Sequence, residues 1–256
     1  MLSSVSDLEK LRLHGRRPSL PAGLRIYAVG DVHGRLDLLE KLLARIKTDI
    51  ALRPTGRPVY VFLGDYIDRG SSSRGTIDRL IEHGETHESV FLKGNHEQIA
   101  LKCLSDGSLF DQWLRLGGLE TLVSYGVPRE IMANDKQIVE MQAAFHDALP
   151  IKHLRFFRDL QKSFVSGDFF FAHAGVKPGV ELSQQKESDL LWIRGEFLSS
   201  DDDFGKIIIH GHTPTREIEV GANRINIDTG AFATGRLTCL VLEGESLSVI
   251  DTSAGS

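Results

Sequence analysis

Five short clusters in the sequence gather residue types that bind metal ions and move protons. They are Gly30-Asp31-Val32-His33-Gly34, Gly64-Asp65-Tyr66-Ile67-Asp68-Arg69-Gly70, Gly94-Asn95-His96-Glu97, His173-Ala174-Gly175 and Gly211-His212-Thr213. Asp31 and His33 lie two apart, so at an extended strand end their side chains point the same way and form a chelating pair. Asp65 adds a second carboxylate able to bridge two cations, Asn95 a neutral oxygen, and His173 and His212 imidazole nitrogens. A mixed nitrogen and oxygen set with no thiolate suits Mn, Fe, Zn, Co or Ni rather than Ca or Mg. The flanking glycines let the backbone turn sharply enough for these side chains to converge. Each cluster alone has a plainer reading: an Asp-x-His pair on the surface, a strand running into a charged helix cap, a tight turn. The metal reading is carried by all five occurring in this order, each at the end of a predicted strand.

Together the motifs resemble the signature of calcineurin-like metallophosphoesterases, and more narrowly the phosphoprotein phosphatase family in its bacterial and phage form. The resemblance runs from residue 30 to residue 213. It implies an α/β fold, a four-layer α/β/β/α metallophosphoesterase sandwich with a helical insertion. It also implies two divalent or trivalent metal ions per chain, Mn first, with Fe, Zn, Co or Ni as alternatives. Asp31, His33 and Asp65 would hold one ion, and Asp65, Asn95, His173 and His212 the other, with Asp65 bridging. His96 matches the family's catalytic histidine, Asp68 the carboxylate that pairs with it, and Arg69 an arginine that holds phosphate oxygens. A second such arginine is expected after the HAG motif near a tryptophan. Leu191-Trp192-Ile193-Arg194 is similar, which makes Arg194 the candidate.

The chemistry so implied is in-line attack on phosphorus by a hydroxide that bridges the two ions and whose pKa they lower. Arg69 and Arg194 neutralise the equatorial oxygens, and His96, oriented by Asp68, protonates the leaving alkoxide. The residues at the variable places of GDYIDRG and GNHE lean towards phosphoserine and phosphothreonine proteins as substrate. Bacterial diadenosine tetraphosphatases share most of these motifs, so hydrolysis of dinucleoside polyphosphates is the alternative. A catalytically weak regulatory binding module is a third reading, opposed by the retention of every ligand with His96 and Asp68. The sequence departs from many relatives in having Lys93 where they have arginine, and it offers no tyrosine-bearing loop after the last histidine motif.

The elements that must position these residues follow from hydrophobic periodicity. Short β-branched runs at 25–29, 59–63, 89–92, 168–172, 206–209 and 224–227 predict strands, and 237–250 predicts a hairpin turning at Gly244. Helical patterns occupy 36–50 and 73–83, then 99–104, 110–125, 136–149 and 151–160. The chain is expected to be one domain, 1–256, with an N-terminal arm over 1–23 and a helical insertion over about 98–165. Trp113, Phe156 and Phe157 in that insertion either pack its core or border the cleft.

Composition narrows the function classes. A net charge of -5 and a pI near 6.1 argue against a nucleic-acid surface while leaving room for a local basic pocket. Two distant cysteines, Cys103 and Cys239, exclude a disulfide framework or a structural zinc knot. No stretch has the length or apolarity of a signal peptide or membrane span, so a cytoplasmic protein acting on phosphoproteins or small phosphoesters is expected, its oligomeric state open. Arg16 and Arg17 read as a solvated arm. His210 competes with His212 as a ligand, and the Gly-His-Thr pattern favours His212. His83 and His87, interrupted by Gly84, read as a solvated loop rather than a zinc pair. His146 and His153 read as surface or packing residues, and Asp201-Asp202-Asp203 as a solvated loop.

Overall fold

The computed structural model describes Leu8, residues 11–132 and residues 138–253. The rest of the proposed N-terminal arm, residues 1–7 and 9–10, and the start of the helix expected at 136 lie outside the described residues. Two five-stranded sheets form the centre. The first, in the order β10-β9-β1-β2-β3, is built from β1 (Leu24–Val29), β2 (Arg57–Phe62), β3 (Ser89–Phe91), β9 (Thr238–Glu243) and β10 (Ser246–Asp251). The second, β4-β5-β6-β8-β7, uses β4 (Ser163–Ser166), β5 (Phe169–Ala172), β6 (Ile207–His210), β7 (Glu219–Val220) and β8 (Arg224–Asn226). β1–β2–β3 and β5–β6–β8 run parallel, so their carboxyl ends, and the motifs that follow them, gather at one edge of the sandwich.

Strand alternation dictates the layers. Ile26, Ala28, Val61 and Leu63 of the first sheet meet Phe169, Phe171, Ile207, Ile209 and Ile225 of the second in one buried cluster. The alternate residues point outward. Tyr27, Val29, Tyr60 and Phe62 pack on α1 (Leu36–Leu52) and α2 (Ser73–Thr86), while Phe170, Ala172 and Ile208 pack under α9 (Glu187–Trp192) and α10 (Gly195–Leu198). The result is the expected α/β/β/α sandwich. α1 buries Leu38, Leu39, Leu42, Leu43 and Ile46, the stripe that its three-to-four spacing predicts.

The insertion comprises α3 (Asn95–Cys103), α4 (Phe110–Arg115), α5 (Gly118–Ser124), α6 (Arg129–Met132), α7 (Ile138–Ala148) and α8 (Ile151–Asp159). Three details differ from expectation. The helix predicted over 110–125 is broken at Gly117, which sits in the left-handed region at φ 104°. The insertion ends before 163, where β4 begins; its Ser-Phe-Val-Ser pattern leaves Val165 49% exposed, so no buried apolar run marked it. α2 runs through Gly84 to Thr86, placing His83 in the core rather than in a solvated loop. Gly84 is there for packing: a Cβ would lie 2.9 Å from the Phe91 ring.

Arg16 and Arg17 are exposed, as a solvated arm has them, but the described leucines of the arm are buried. Leu8, Leu11, Leu13 and Leu20 join the inter-sheet cluster. Arg16 donates to both carboxylate oxygens of Asp168 at 2.5 and 2.9 Å. Among the described residues no helix is long and apolar enough to cross a membrane.

Candidate metal centre and active site

Asp31 and His33 follow β1, Asp65 follows β2, Asn95 opens α3 just after β3, His173 follows β5 and His212 follows β6. Five residues at this edge, His33, Asp65, Asp68, Arg69 and His212, hold φ between 47° and 72°, a left-handed conformation unfavourable for residues with a Cβ. Their surroundings hold them there. Glu97, fully buried, accepts backbone N–H bonds from Gly94 and Asp65, both 2.9 Å, Tyr66 at 2.7 Å and Ile67 at 3.3 Å. Gly211 leaves room for Asp31, whose Oδ1 would lie 2.1 Å from a Cβ at that position.

Two groups of convergent donors share Asp65. His33, Asp65 and His96 form one, and Asp65, His173 and His212 the other, each with its donor atoms within 4.8 Å of one another. Asn95 belongs with the second, its Oδ1 2.9 Å from both His173 Nε2 and His212 Nδ1. The Nδ1–H of His33 donates to the Ile67 carbonyl and that of His173 to the Leu63 carbonyl, both at 2.9 Å. Those bonds orient the rings so that each Nε2 faces the cluster, the arrangement found in metal-ligating histidines.

Asp31 lies against the second group, its Oδ2 accepting the His212 N–H at 3.1 Å. His96 lies with His33 and Asp65 in the first group. His210, one strand position before Gly211, packs its ring against Phe197 in the core and lies in neither group.

The electrostatics favour positive charge. Burial, reinforced by the neighbouring Asp228, pushes the Asp31 carboxyl well above the usual carboxylate range. Although burial alone would lower His173, the Asp65 carboxylate, with Asp31 and Glu97 behind it, pushes it up to about 9. Burial and the charge of His173 drive His212 down to about 2, keeping its ring neutral. Asp31 Oδ1 and His212 Nε2 are buried without a hydrogen-bond partner among the described residues. Closely packed carboxylates, imidazole nitrogens, an amide oxygen and orphaned buried donor atoms suit a pair of divalent cations.

Beside the donors lies a buried histidine–carboxylate pair. His96 Nδ1–H donates to Asp68 Oδ2 at 2.6 Å, both residues buried. Burial lowers the imidazole, but Asp65 and Asp68 more than offset this and hold it above the ordinary histidine value. Arg69 reaches across the same face, Nη1 donating to His33 Nε2 at 2.7 Å and Nη2 lying 3.2 Å from His96 Nε2. Arg194 is exposed, its charge felt at His212. Trp192, two residues earlier, sets its ring 6.3 Å from that of His212 and donates to Gln98 Oε1. Lys93 pairs with Glu187 at 3.1 Å.

Three residues at this site were not assigned from sequence. Phe232, on α11 (Ala231–Thr234), is 38% exposed, lies over the Arg69 guanidinium at 4.7 Å and abuts the His33 ring. Asp228 is buried beside Asp31. Its signal was available, since Ile227-Asp228-Thr229-Gly230 repeats the pattern of strand, carboxylate and glycine seen in the first two motifs. Glu97 lay inside a recognised motif, but nothing local showed that its partners are backbone amides some thirty residues upstream.

The sequence profile of the calcineurin-like phosphoesterases matches residues 24–235. Curated relatives include the bis(5'-nucleosyl)-tetraphosphatase PrpE of Anoxybacillus flavithermus, 29% identical over 88% of this chain and 93% of that protein. Another is serine/threonine-protein phosphatase 2 of Escherichia coli, 30% identical over 83% of this chain and 90% of that protein. Among solved structures, a putative diadenosine tetraphosphatase superposes with a TM-score of 0.59 at 19% identity, covering 92% of this chain and 100% of its own. The cold-active protein-tyrosine phosphatase of a psychrophilic Shewanella gives 0.60 at 17% identity, covering 98% and 85%. With its profile match, full-length relatives and shared fold, this chain belongs to the calcineurin-like phosphoesterases, a family of metal-dependent hydrolases.

Proposed function

We propose that Asp31, His33, Asp65, Asn95, His173 and His212 hold two metal ions, manganese being the first to supply. We propose that the chain hydrolyses phosphomonoesters with alkoxide leaving groups, phosphoserine and phosphothreonine side chains being the substrate class. When bound, the ions supply Lewis acidity and an activated water. Arg69 and Arg194 grip the phosphoryl oxygens, for which a planar guanidinium is better shaped than an ammonium. His96 delivers a proton from Nε2 while Asp68 holds its Nδ1–H.

The buried His96–Asp68 pair carries the choice of substrate. A serine or threonine alkoxide leaves poorly unless protonated as its bond breaks, whereas the nucleotide released from a phosphoanhydride is already stable as an anion. A proton donor locked at 2.6 Å to its carboxylate is equipment for the first reaction. The test is turnover, with added Mn²⁺, of a phosphoserine/phosphothreonine peptide panel, p-nitrophenyl phosphate and diadenosine tetraphosphate. Activity confined to the dinucleotide overturns this reading.

A second reading, hydrolysis of dinucleoside polyphosphates, is favoured by one observation. Trp192 near His212 and exposed Phe232 near His33 place aromatic rings at both ends of the donor cluster. Trp192 also walls a hollow of about 300 Å³ with Gln98, Ile99, Lys102, Leu109 and Gln112. A base would stack on such a ring for about 1–3 kcal/mol. Loss of dinucleotide turnover in Trp192→Ala, with phosphopeptide turnover retained, is the result this reading expects.

A further inference from the structure

The helical insertion reaches back into the site at residues no motif contains. Trp113 on α4 donates its Nε1–H to Asp68 Oδ2 at 2.9 Å. Thr121 on α5 donates its hydroxyl to Asp68 Oδ1 at 2.6 Å and accepts the Asp68 N–H at 2.9 Å. Between them, the Gly117 carbonyl accepts the Arg69 N–H at 3.0 Å. Asp68, Trp113 and Thr121 are each 0% exposed. The sequence reading left Trp113 between core and cleft; its ring is core, but its one polar atom is spent on the partner of His96.

We propose that Trp113 and Thr121 are positioning residues for the proton donor, and that the insertion is thereby part of the catalytic apparatus. The inference rests on His96 acting as that donor. Asp68 and Arg69 are consecutive residues at φ 72° and 67°, a conformation that a free loop would abandon. Four bonds from the insertion to this dipeptide oppose that relaxation. The break at Gly117 is what permits them. A Cβ there would stand 3.0 Å from Arg69 N and 2.8 Å from Arg69 Cγ, so a glycine at this break lets the insertion approach the dipeptide this closely. With donors on both oxygens, the carboxylate cannot rotate, and His96 is held with Nε2 towards the cleft. A loosened Asp68 would leave metal binding and phosphate binding in place while the proton arrives late. The signature is therefore a loss that grows with the basicity of the leaving group.

Trp113→Phe removes the donor and keeps a ring; Thr121→Val removes the hydroxyl at nearly constant shape; Thr121→Ser restores it. Each is assayed with Mn²⁺ on p-nitrophenyl phosphate, phenyl phosphate and a phosphoserine peptide, beside His96→Ala, with metal content measured on every protein. The expected result is a drop in kcat of about tenfold on phenyl phosphate and the peptide, much less on p-nitrophenyl phosphate, with unchanged metal content and recovery in Thr121→Ser. Thr121→Val added to His96→Ala should cost nothing further. An equal loss on all three substrates, no loss, or additive loss in the double variant overturns the proposal. If His96→Ala shows a leaving-group-dependent loss and the insertion variants do not, this inference alone fails. If His96→Ala is also indifferent to the leaving group, the assignment of His96 fails and takes the inference with it. Should Trp113→Phe not fold, the Thr121→Val and Thr121→Ser pair decides alone.

Discussion

Replacing Glu97 with glutamine tests whether the metal edge is held by one buried carboxylate. Oε2 accepts from Gly94 and Asp65, and Oε1 from Tyr66 and Ile67. A glutamine fits the space, but whichever way its amide is turned, its NH₂ faces two backbone N–H groups, donor against donor. Hydrogen bonds to a charged group contribute about 1.5–3 kcal/mol each. A sum over all contacts overstates the loss, because burial already penalises this carboxylate, pushing it up to about 7. Orphaning two N–H groups while relieving that penalty gives a destabilisation of about 3–5 kcal/mol. For a chain of this size, each kcal/mol lowers the melting temperature by about 2–4 °C, so a fall of roughly 6–20 °C is expected. Because the bonds fix the Asp65 turn, the Mn²⁺ concentration for half-maximal activity should rise as well. Glu97→Ala should cost a similar amount, since it also leaves those donors bare. Thermal unfolding with Mn²⁺ and after chelation, together with Mn²⁺ titration of activity, measures both effects. A Glu97→Gln protein that melts within 2 °C of the parent (about 1 kcal/mol or less) and titrates identically refutes the reasoning.

Asp65→Ala should lose both ions, because the two donor groups share that residue; full occupancy by elemental analysis would sink the bridging assignment. His96→Ala should keep its metal yet lose most turnover on phosphoserine peptides, roughly 10²-fold or more, with a milder loss on p-nitrophenyl phosphate. Asp168 is held down to about 2 by its bonds to Arg16. A depressed carboxylate contributes stability above its unfolded pKa of about 3.9 and loses it as pH falls through the folded value. Asp168→Asn should therefore melt lower than the parent at pH 6, and the gap should close between about pH 4 and about pH 2. A gap that stays constant over that window would rule out the pair as the arm's anchor.

What the sequence disclosed was local. Asp31-Val32-His33 and its four companion motifs are short, and their flanking strands are buried on both faces, so β-branched runs ending in glycine revealed strand and site together. Residues whose roles depend on distant partners were silent. Nothing near Trp113 says that its nitrogen meets Asp68, 45 positions earlier. Phe232 drew no assignment because its neighbour, Arg69, comes from the other half of the chain. His83 was misjudged because Gly84 reads as a helix breaker until Phe91 is seen against it. Spacing fixes direction along a strand, so it did not reveal the close approach of Gly211 to Asp31 from the opposite sheet.

The pairing of β1 has a consequence for how the chain acquires activity. Its neighbours are β2 on one side and β9 on the other, so the strand that leads into Asp31 and His33 is walled in by Arg57–Phe62 and by Thr238–Glu243, which follows every donor residue along the chain. A chain cut before β9 would expose the β1 edge and hold its donors on an unfinished support, even with every donor residue through His212 present.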